Sequence, residues 1–297
     1  MHEDAFHISV EIARRLIWTQ FPQFADLAIR QLPTSGTEHA VFRIGSVAAA
    51  KFPLRPSKEA TDTNALCRQF HSMTELARIS SVPTPLPIGI GLACQDYPGP
   101  WMVQTWVEGI VATPESHCRS HCFANDLALL VNTLRRSDVE GRTFDGKGRG
   151  GSLPDHDTWM AKCFARSESL LDVSRLRQLW ARMRELPAPR SLVMSHRDLI
   201  PANLLVRDER LVGLLDGGAF GPADPALDLV AAWHLLEKDC RDLFRCHIGC
   251  DDIEWDRGAA WAFQQAMGLV WYYDQTNPMM SALGRSTLAR ILSDRCD

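Results

Sequence analysis

The spacing of apolar positions changes character once along the chain, near residue 108. Behind Ser9, a residue type that caps helix starts, Val10, Ile12, Ala13, Leu16 and Ile17 recur at helical spacing, and Pro22 closes that segment. Short apolar runs then predict strands over residues 27–32, 40–44 and 47–52. Pro33-Thr34-Ser35-Gly36-Thr37, a turn composition, separates the first two. A helical period covers residues 57–79, a proline-rich link follows over 82–87, and two further strands are predicted over 88–92 and 101–107. Beyond Glu108-Gly109 helical periods dominate, over 123–134, 157–170, 174–184 and 261–273, interrupted by one strand pair at 204–207 and 211–215. The pattern predicts an α+β chain of two lobes. Residues 1–107 form a small antiparallel β lobe, and residues 108–297 form a larger, mainly helical one.

With 297 residues, 45% of them hydrophobic and 23% charged, the chain has the composition of a globular protein with a sizeable core. A net charge of −4 offers no basic face for nucleic acid and suits a cationic ligand better. No apolar run approaches the roughly 18 residues of a membrane span. The N-terminal MHEDAFHISVE lacks the basic-then-apolar order of a secretory leader. Nine scattered cysteines, an odd number, predict reduced thiols rather than a disulfide framework. The expectation is a cytoplasmic protein with a small-molecule ligand, and with no nucleic-acid, membrane or obligate protein partner.

The densest chemical signal is His196-Arg197-Asp198-Leu199-Ile200-Pro201-Ala202-Asn203, which matches the kinase catalytic-loop pattern H-R-D-L-x-x-x-N. Thirteen residues after Asn203, past the strand pair, stands Asp216-Gly217-Gly218. Phosphoryl transfer needs both elements. A carboxylate must reach the attacking hydroxyl to take its proton. An amide oxygen and a second carboxylate must hold magnesium against the phosphates. Either element alone reads as a structural turn or a strand end. In this order, with two strands between them, they predict Asp198 as base and Asn203 with Asp216 as metal ligands. Upstream, Lys51 ends the run Val47-Ala48-Ala49-Ala50, where a kinase-like sheet carries its phosphate-gripping lysine. The turn Ser35-Gly36-Thr37 occupies the place of a phosphate-covering hairpin, without the G-x-G-x-x-G of protein kinases.

Other signals are weaker. Residues 146–151 formally contain G-x-G-x-x-G but follow no strand, which predicts a mobile basic loop rather than a nucleotide site, with contact to substrate or phosphate as the alternative. His117, Cys118, His121 and Cys122, like Cys240, Cys246, His247 and Cys250, lack the paired spacing of structural zinc. There is no P-loop, no H-E-x-x-H and no G-x-S-x-G. Trp271-Tyr272-Tyr273 with Asp274 reads first as core packing of a late helix. The acidic stretch 251–256 reads as a solvated charged turn, with attraction for an ammonium-rich ligand as the alternative.

Two runs bring a family into view, Asp198-Leu199-x-Pro201-x-Asn203-Leu204-Leu205 and Asp216-Gly217-Gly218-Ala219-Phe220-Gly221-Pro222-Ala223-Asp224-Pro225-Ala226-Leu227-Asp228-Leu229. In both, the chain resembles the aminoglycoside and macrolide phosphotransferases, antibiotic kinases of the protein-kinase-like superfamily. The long activation loop and Ala-Pro-Glu of protein kinases are missing. The resemblance implies an ATP- and magnesium-dependent O-phosphotransferase acting on a hydroxyl of a small molecule, an aminoglycoside-like antibiotic. A metabolic kinase for sugars or amino alcohols and a nucleotide-binding pseudokinase are the alternatives. It further implies that His196 braces the loop and that adenine meets backbone at Gln104, Thr105 and Val107. Gly218, Asp224 and Asp228 would be structural, and the late helices would bring Trp271, Tyr272 and Asp274 to the acceptor. The sequence departs from the family twice. Arg197 stands where the antibiotic kinases usually carry glycine, a change expected to matter little. Gln69 stands where a glutamate would pair with the strand lysine, so that Gln69 could bond Lys51, or Asp62 or Glu59 take that part.

Overall fold

In the computed structural model, which describes residues 6–33, 39–56 and 60–294, Ser9 Oγ accepts the Ile12 N–H at 3.3 Å and opens helix α1 (Val10–Gln20). The chain divides into two units. One comprises Met1–Arg78, Pro83–Glu108 and Asp216–Gly218; the other comprises Ile79–Val82, Gly109–Leu215 and Ala219–Asp297.

The first unit is built on strands β1 (Ile29–Gln31), β2 (His39–Ile44) and β3 (Ala48–Pro53), then helix α2 (Ala60–Ile79), then β4 (Pro87–Gly91) and β5 (Trp101–Thr105). Among the described residues they form a five-stranded antiparallel sheet in the order β1-β2-β3-β5-β4. β2 shows the two-residue period that makes a strand amphipathic, with Ala40, Phe42 and Ile44 buried. Those side chains join Phe52, Tyr97 and Trp101 in a core closed by α1. Phe52 and Trp101 stack with ring centroids 4.5 Å apart. Trp101 lies across Gly91 so closely that a Cβ there would fall 2.0 Å from the indole, which explains glycine in that strand. Met102, next along β5, points to the other face and packs with Leu66 and Met73 of α2. Lys51 pairs directly with Met102 in the β3–β5 register and so belongs to the α2 face.

The second unit contains β6 (Ile110–Val111), α3 (His121–Arg135), α4 (Asp157–Arg166), α5 (Val173–Met183), β7 (Val193–Ser195), β8 (Leu204–Arg207), β9 (Arg210–Leu214) and β10 (Gly221–Ala223). Helices α6 (Val230–Leu235), α7 (Lys238–Ile248), α8 (Asp252–Tyr272) and α9 (Pro278–Ser293) complete it. Asp208 and Glu209, both at positive φ, turn the β8–β9 hairpin. Helix α8 is apolar nearly all round, burying Trp261, Phe263, Ala266 and Met267, because α4, α5, α6 and α9 all pack on it. No helix among the described residues is long and apolar enough to cross a membrane, and the described cysteines are free thiols.

The structure corrects the sequence reading of this unit in three places. The strand pair gains a third strand, β6, and β7 with β10 makes a second small sheet. Strands of two or three residues are too short to show a period. Helices α6, α7 and α9 add to the predicted set. Residues 251–256 are not a charged turn but the start of α8: Asp251 caps it, accepting the Glu254 N–H at 2.7 Å, while Glu254 pairs with Arg135 and Asp252 with Arg245. Carboxylates suit that end of a helix because its free N–H groups carry positive charge.

Candidate active site

In the helical unit β7 delivers the chain into the 196–203 loop, whose path is fixed by buried carboxylates. Asp228, 1% exposed, accepts two consecutive backbone N–H groups, from His196 at 2.9 Å and from Arg197 at 3.0 Å. His196 Nε2 lies 2.9 Å from Leu215 O, so that nitrogen is the donor, and the ring joins the loop to the end of the β8–β9 hairpin. Asn203 Nδ2 donates to Asp198 O at 2.9 Å, and Leu215 N–H donates to Asn203 O at 2.7 Å. The loop from base to amide is thereby closed on itself. Asp224, 3% exposed, accepts from Arg257 Nε at 3.1 Å, from Trp261 Nε1 at 3.0 Å and from Ala226 N–H at 2.8 Å. It fastens the segment after β10 to α8, while Asp228 reaches back to the catalytic loop.

Arg197 is more than a bystander beside the base. Its backbone is left-handed, φ 70°, a conformation glycine adopts without strain and L residues rarely take. Its guanidinium is buried and bonds Arg149 O at 2.9 Å, Ala219 O at 3.3 Å and Lys147 O, lying 4.7 Å over the Phe144 ring. The glycine-rich 146–151 loop is thus tied to the 196–203 loop, and it places Arg149 in an ion pair with Asp198. The expectation that Arg197 matters little fails here. Its contacts lie about fifty residues upstream, in a segment without periodicity, and Arg149 had no signal beyond membership of that basic loop.

In the sheet unit Lys51 Nζ meets Asp216 Oδ1 at 2.7 Å. Asp216 is itself left-handed, φ 59°, and the glycines after it fit against α2. A Cβ on Gly217 would fall 2.4 Å from Leu76, and one on Gly218 would fall 3.3 Å from Gln69 Cβ. Gln69 therefore packs on the Asp216–Gly218 segment. Ser35, Gly36, Thr37 and Glu59 lie outside the described residues, as does the side chain of Asp62. His39, which the sequence reading passed over, is pushed down to about 4 by burial and by the Lys51 charge, with Asp216 pulling the other way. At the end of β5, Thr105 N–H donates to Leu86 O at 2.8 Å and Trp106 N–H to Val47 O at 2.9 Å. Gln104 is buried within the strand, and Val107 is the first residue past these bonds.

Trp271, Tyr272 and Asp274 sit at the C-terminal end of α8. Trp271 lies 5.8 Å from the ring of Trp159 on α4. Tyr272 is 38% exposed, and Asp274 is 3.3 Å from Arg285 of α9. Trp271 is thereby set against α4 and Asp274 against α9.

The donor chemistry suits a magnesium nucleotide. Because Asn203 uses its NH₂ on Asp198 O, its amide oxygen is the ligand-type atom. An amide oxygen and a carboxylate are the hard donors magnesium takes. Solved structures share the fold. The chain is 18% identical to the aminoglycoside phosphotransferase APH(2")-IIia in its GDP and kanamycin complex, with a TM-score of 0.69 over 95% of this chain and 99% of that one. It is 16% identical to wild-type aminoglycoside 2'-phosphotransferase-IIIa with GDP, TM-score 0.73 over 97% and 100%. Against the macrolide 2'-phosphotransferase MphH of Brachybacterium faecium, as apoenzyme, identity is 18% and TM-score 0.61 over 94% and 97%. A sequence search of curated proteins gives no match. The family model described as APH, phosphotransferase enzyme family, matches residues 29–261, which takes in Lys51, the 196–203 loop and the Asp216–Asp228 segment. The chain belongs to the phosphotransferase enzyme family.

Proposed function

We propose that the chain transfers the γ-phosphoryl group of ATP to a hydroxyl of an aminoglycoside-like antibiotic. The observation that carries this reading is the closed 196–203 loop, in which one backbone geometry presents a carboxylate and an amide together. Asp198 accepts the hydroxyl proton as the acceptor oxygen forms its bond to phosphorus and the bridging oxygen leaves with ADP. Lys51 grips the phosphates once nucleotide displaces its resting partner, Asp216. Adenine meets the backbone around Gln104, Thr105 and Val107, and Gln69 supports the Asp216 segment. Asn203 and Asp216 would each serve as a magnesium ligand, and the ion would supply charge neutralisation on the phosphates. His196, Gly218, Asp224 and Asp228 keep this machinery in shape, and Trp271, Tyr272 and Asp274 face the acceptor. The kanamycin, gentamicin and streptomycin complexes among proteins of this fold support the acceptor class.

The test is magnesium-dependent ADP release with ATP against aminoglycosides, macrolides, peptide antibiotics and simple amino alcohols, with Asp198→Asn as control. Turnover on an antibiotic that vanishes in the variant is the expected result. Turnover on a sugar or amino alcohol alone would move the assignment to a metabolic kinase. Gln69, in place of a carboxylate on α2, favours a second reading as a nucleotide-binding pseudokinase; ATP binding without turnover on any acceptor would select it.

A further inference from the structure

The helical unit sets a charge that the reaction scheme does not use directly on the proposed base, the Arg149 guanidinium on Asp198. The loop that brings it there is built for the purpose. Gly146, Gly148, Gly150 and Gly151 all have φ between 68° and 136°, a path side chains rarely follow. Gly150 passes so close to Phe144 that a Cβ would fall 2.6 Å from the ring. Arg197 then fixes the loop from below, through Arg149 O, Lys147 O and the Phe144 face, with Asp145 3.4 Å away. His156 Nε2 bonds Gly150 O at 3.0 Å on the far side. Arg149 is thus carried on a restrained backbone, so less freedom is lost in forming its ion pair than for an ordinary surface arginine.

An arginine on a general base has a definite consequence. It occupies a carboxylate oxygen that must take up the acceptor's proton, and it repels any second cation until one replaces it. Replacement by an ammonium leaves Asp198 compensated throughout. Water or a neutral hydroxyl brings no charge and must work against the intact pair. Resting on the phosphotransfer reading above, we propose that Arg149 is a specificity-determining residue. It is an internal cation that withholds Asp198 from neutral acceptors and yields it to an acceptor carrying an ammonium beside its reacting hydroxyl. Arg197 is its positioning residue.

The test measures magnesium-dependent ADP release from ATP by the full chain with water alone, with glycerol and with kanamycin, for wild type, Arg149→Gln, Arg149→Lys, Arg197→Gly and Asp198→Asn. Arg149→Gln is expected to speed release to water and to glycerol about fivefold, the equivalent of one partly exposed ion pair. The ratio of release with kanamycin to release with glycerol should fall. Arg149→Lys keeps the charge and should stay near wild type. Arg197→Gly, whose glycine accepts the left-handed backbone, should move rates in the direction of Arg149→Gln by freeing the loop. Release by Arg149→Gln no faster than wild type, with ATP still bound, overturns the proposal. Equal acceleration by lysine and glutamine also overturns it, because loop packing and not charge would then be responsible. ADP release that survives Asp198→Asn, or absence of ATP binding, would instead bring down the phosphotransfer reading and this inference with it.

Discussion

The two units hold their functional carboxylates in opposite ways. In the sheet unit Lys51 and Asp216 pair with side chains 20% and 51% exposed. In the helical unit Asp224 and Arg257 are 3% and 7% exposed, and Asp224 also accepts from an indole and a backbone N–H. An exposed ion pair is worth at most about 1 kcal/mol and is easily exchanged for another partner. Removing one member of a buried pair leaves a charge without compensation, which destabilises by about 3–5 kcal/mol. On the proposed reading the contrast suits phosphoryl transfer. Lys51 would let go of Asp216 when nucleotide arrives, whereas the loop that carries Asp198 would keep one geometry through the reaction.

That contrast can be broken at several points. The largest effect is expected from Asp198→Asn, which should lower phosphotransfer about a hundred- to ten-thousandfold in a steady-state assay while the melting temperature stays near wild type. Next comes Asp224→Ala, expected to lose about 3–5 kcal/mol in denaturant unfolding, against less than about 1 kcal/mol for Asp216→Ala. Equal losses at the two sites would erase the distinction between them. Lys51→Met should weaken ATP binding about ten- to a hundredfold by calorimetry, as loss of a charge-assisted contact does, with little change in stability. The smallest effect concerns pH. His234, fully buried against Thr287 and Gln265, is pushed down to about 4, chiefly by burial. Its folded value lies below the ordinary one, so the unfolded chain binds the proton first. Stability is therefore complete above about pH 6.5 and is lost as the pH falls towards 4, at no more than about 1.4 kcal/mol per pH unit. His234→Gln should flatten part of that slope in urea titrations between those limits. An unchanged slope would assign the acid sensitivity to other groups, His39 of the sheet unit among them.

How much of this could be read from sequence depended on whether the information was contiguous. The 196–203 loop is one unbroken motif, and Lys51 stands in a strand whose apolar run is visible, so both the two-lobe fold and the place of the candidate site were legible. The braces were not. Asp224 finds Arg257 thirty-three residues away and Arg197 finds Arg149 forty-eight away, in pairings that no period announces. Arg197 was visible as a departure from the family pattern, but its consequence was hidden, because the carbonyls it bonds belong to a glycine-rich segment with no regular structure. The acidic run 251–256 was misread because charge alone does not distinguish a turn from the first turn of a helix. Asp251 in the capping position was the signal that separated them.

The two N–H groups received by Asp228 have a consequence for motion. The 196–203 segment has hardly any regular secondary structure, yet the His196 and Arg197 amides end on a carboxylate that is 1% exposed. Amide protons held in this way exchange with deuterated solvent only when the surrounding packing opens. Residues 196 and 197 should therefore exchange as slowly as the buried helix α8, on a timescale set by unfolding of the whole helical unit. A loop protected to that degree would open only together with the packing around it.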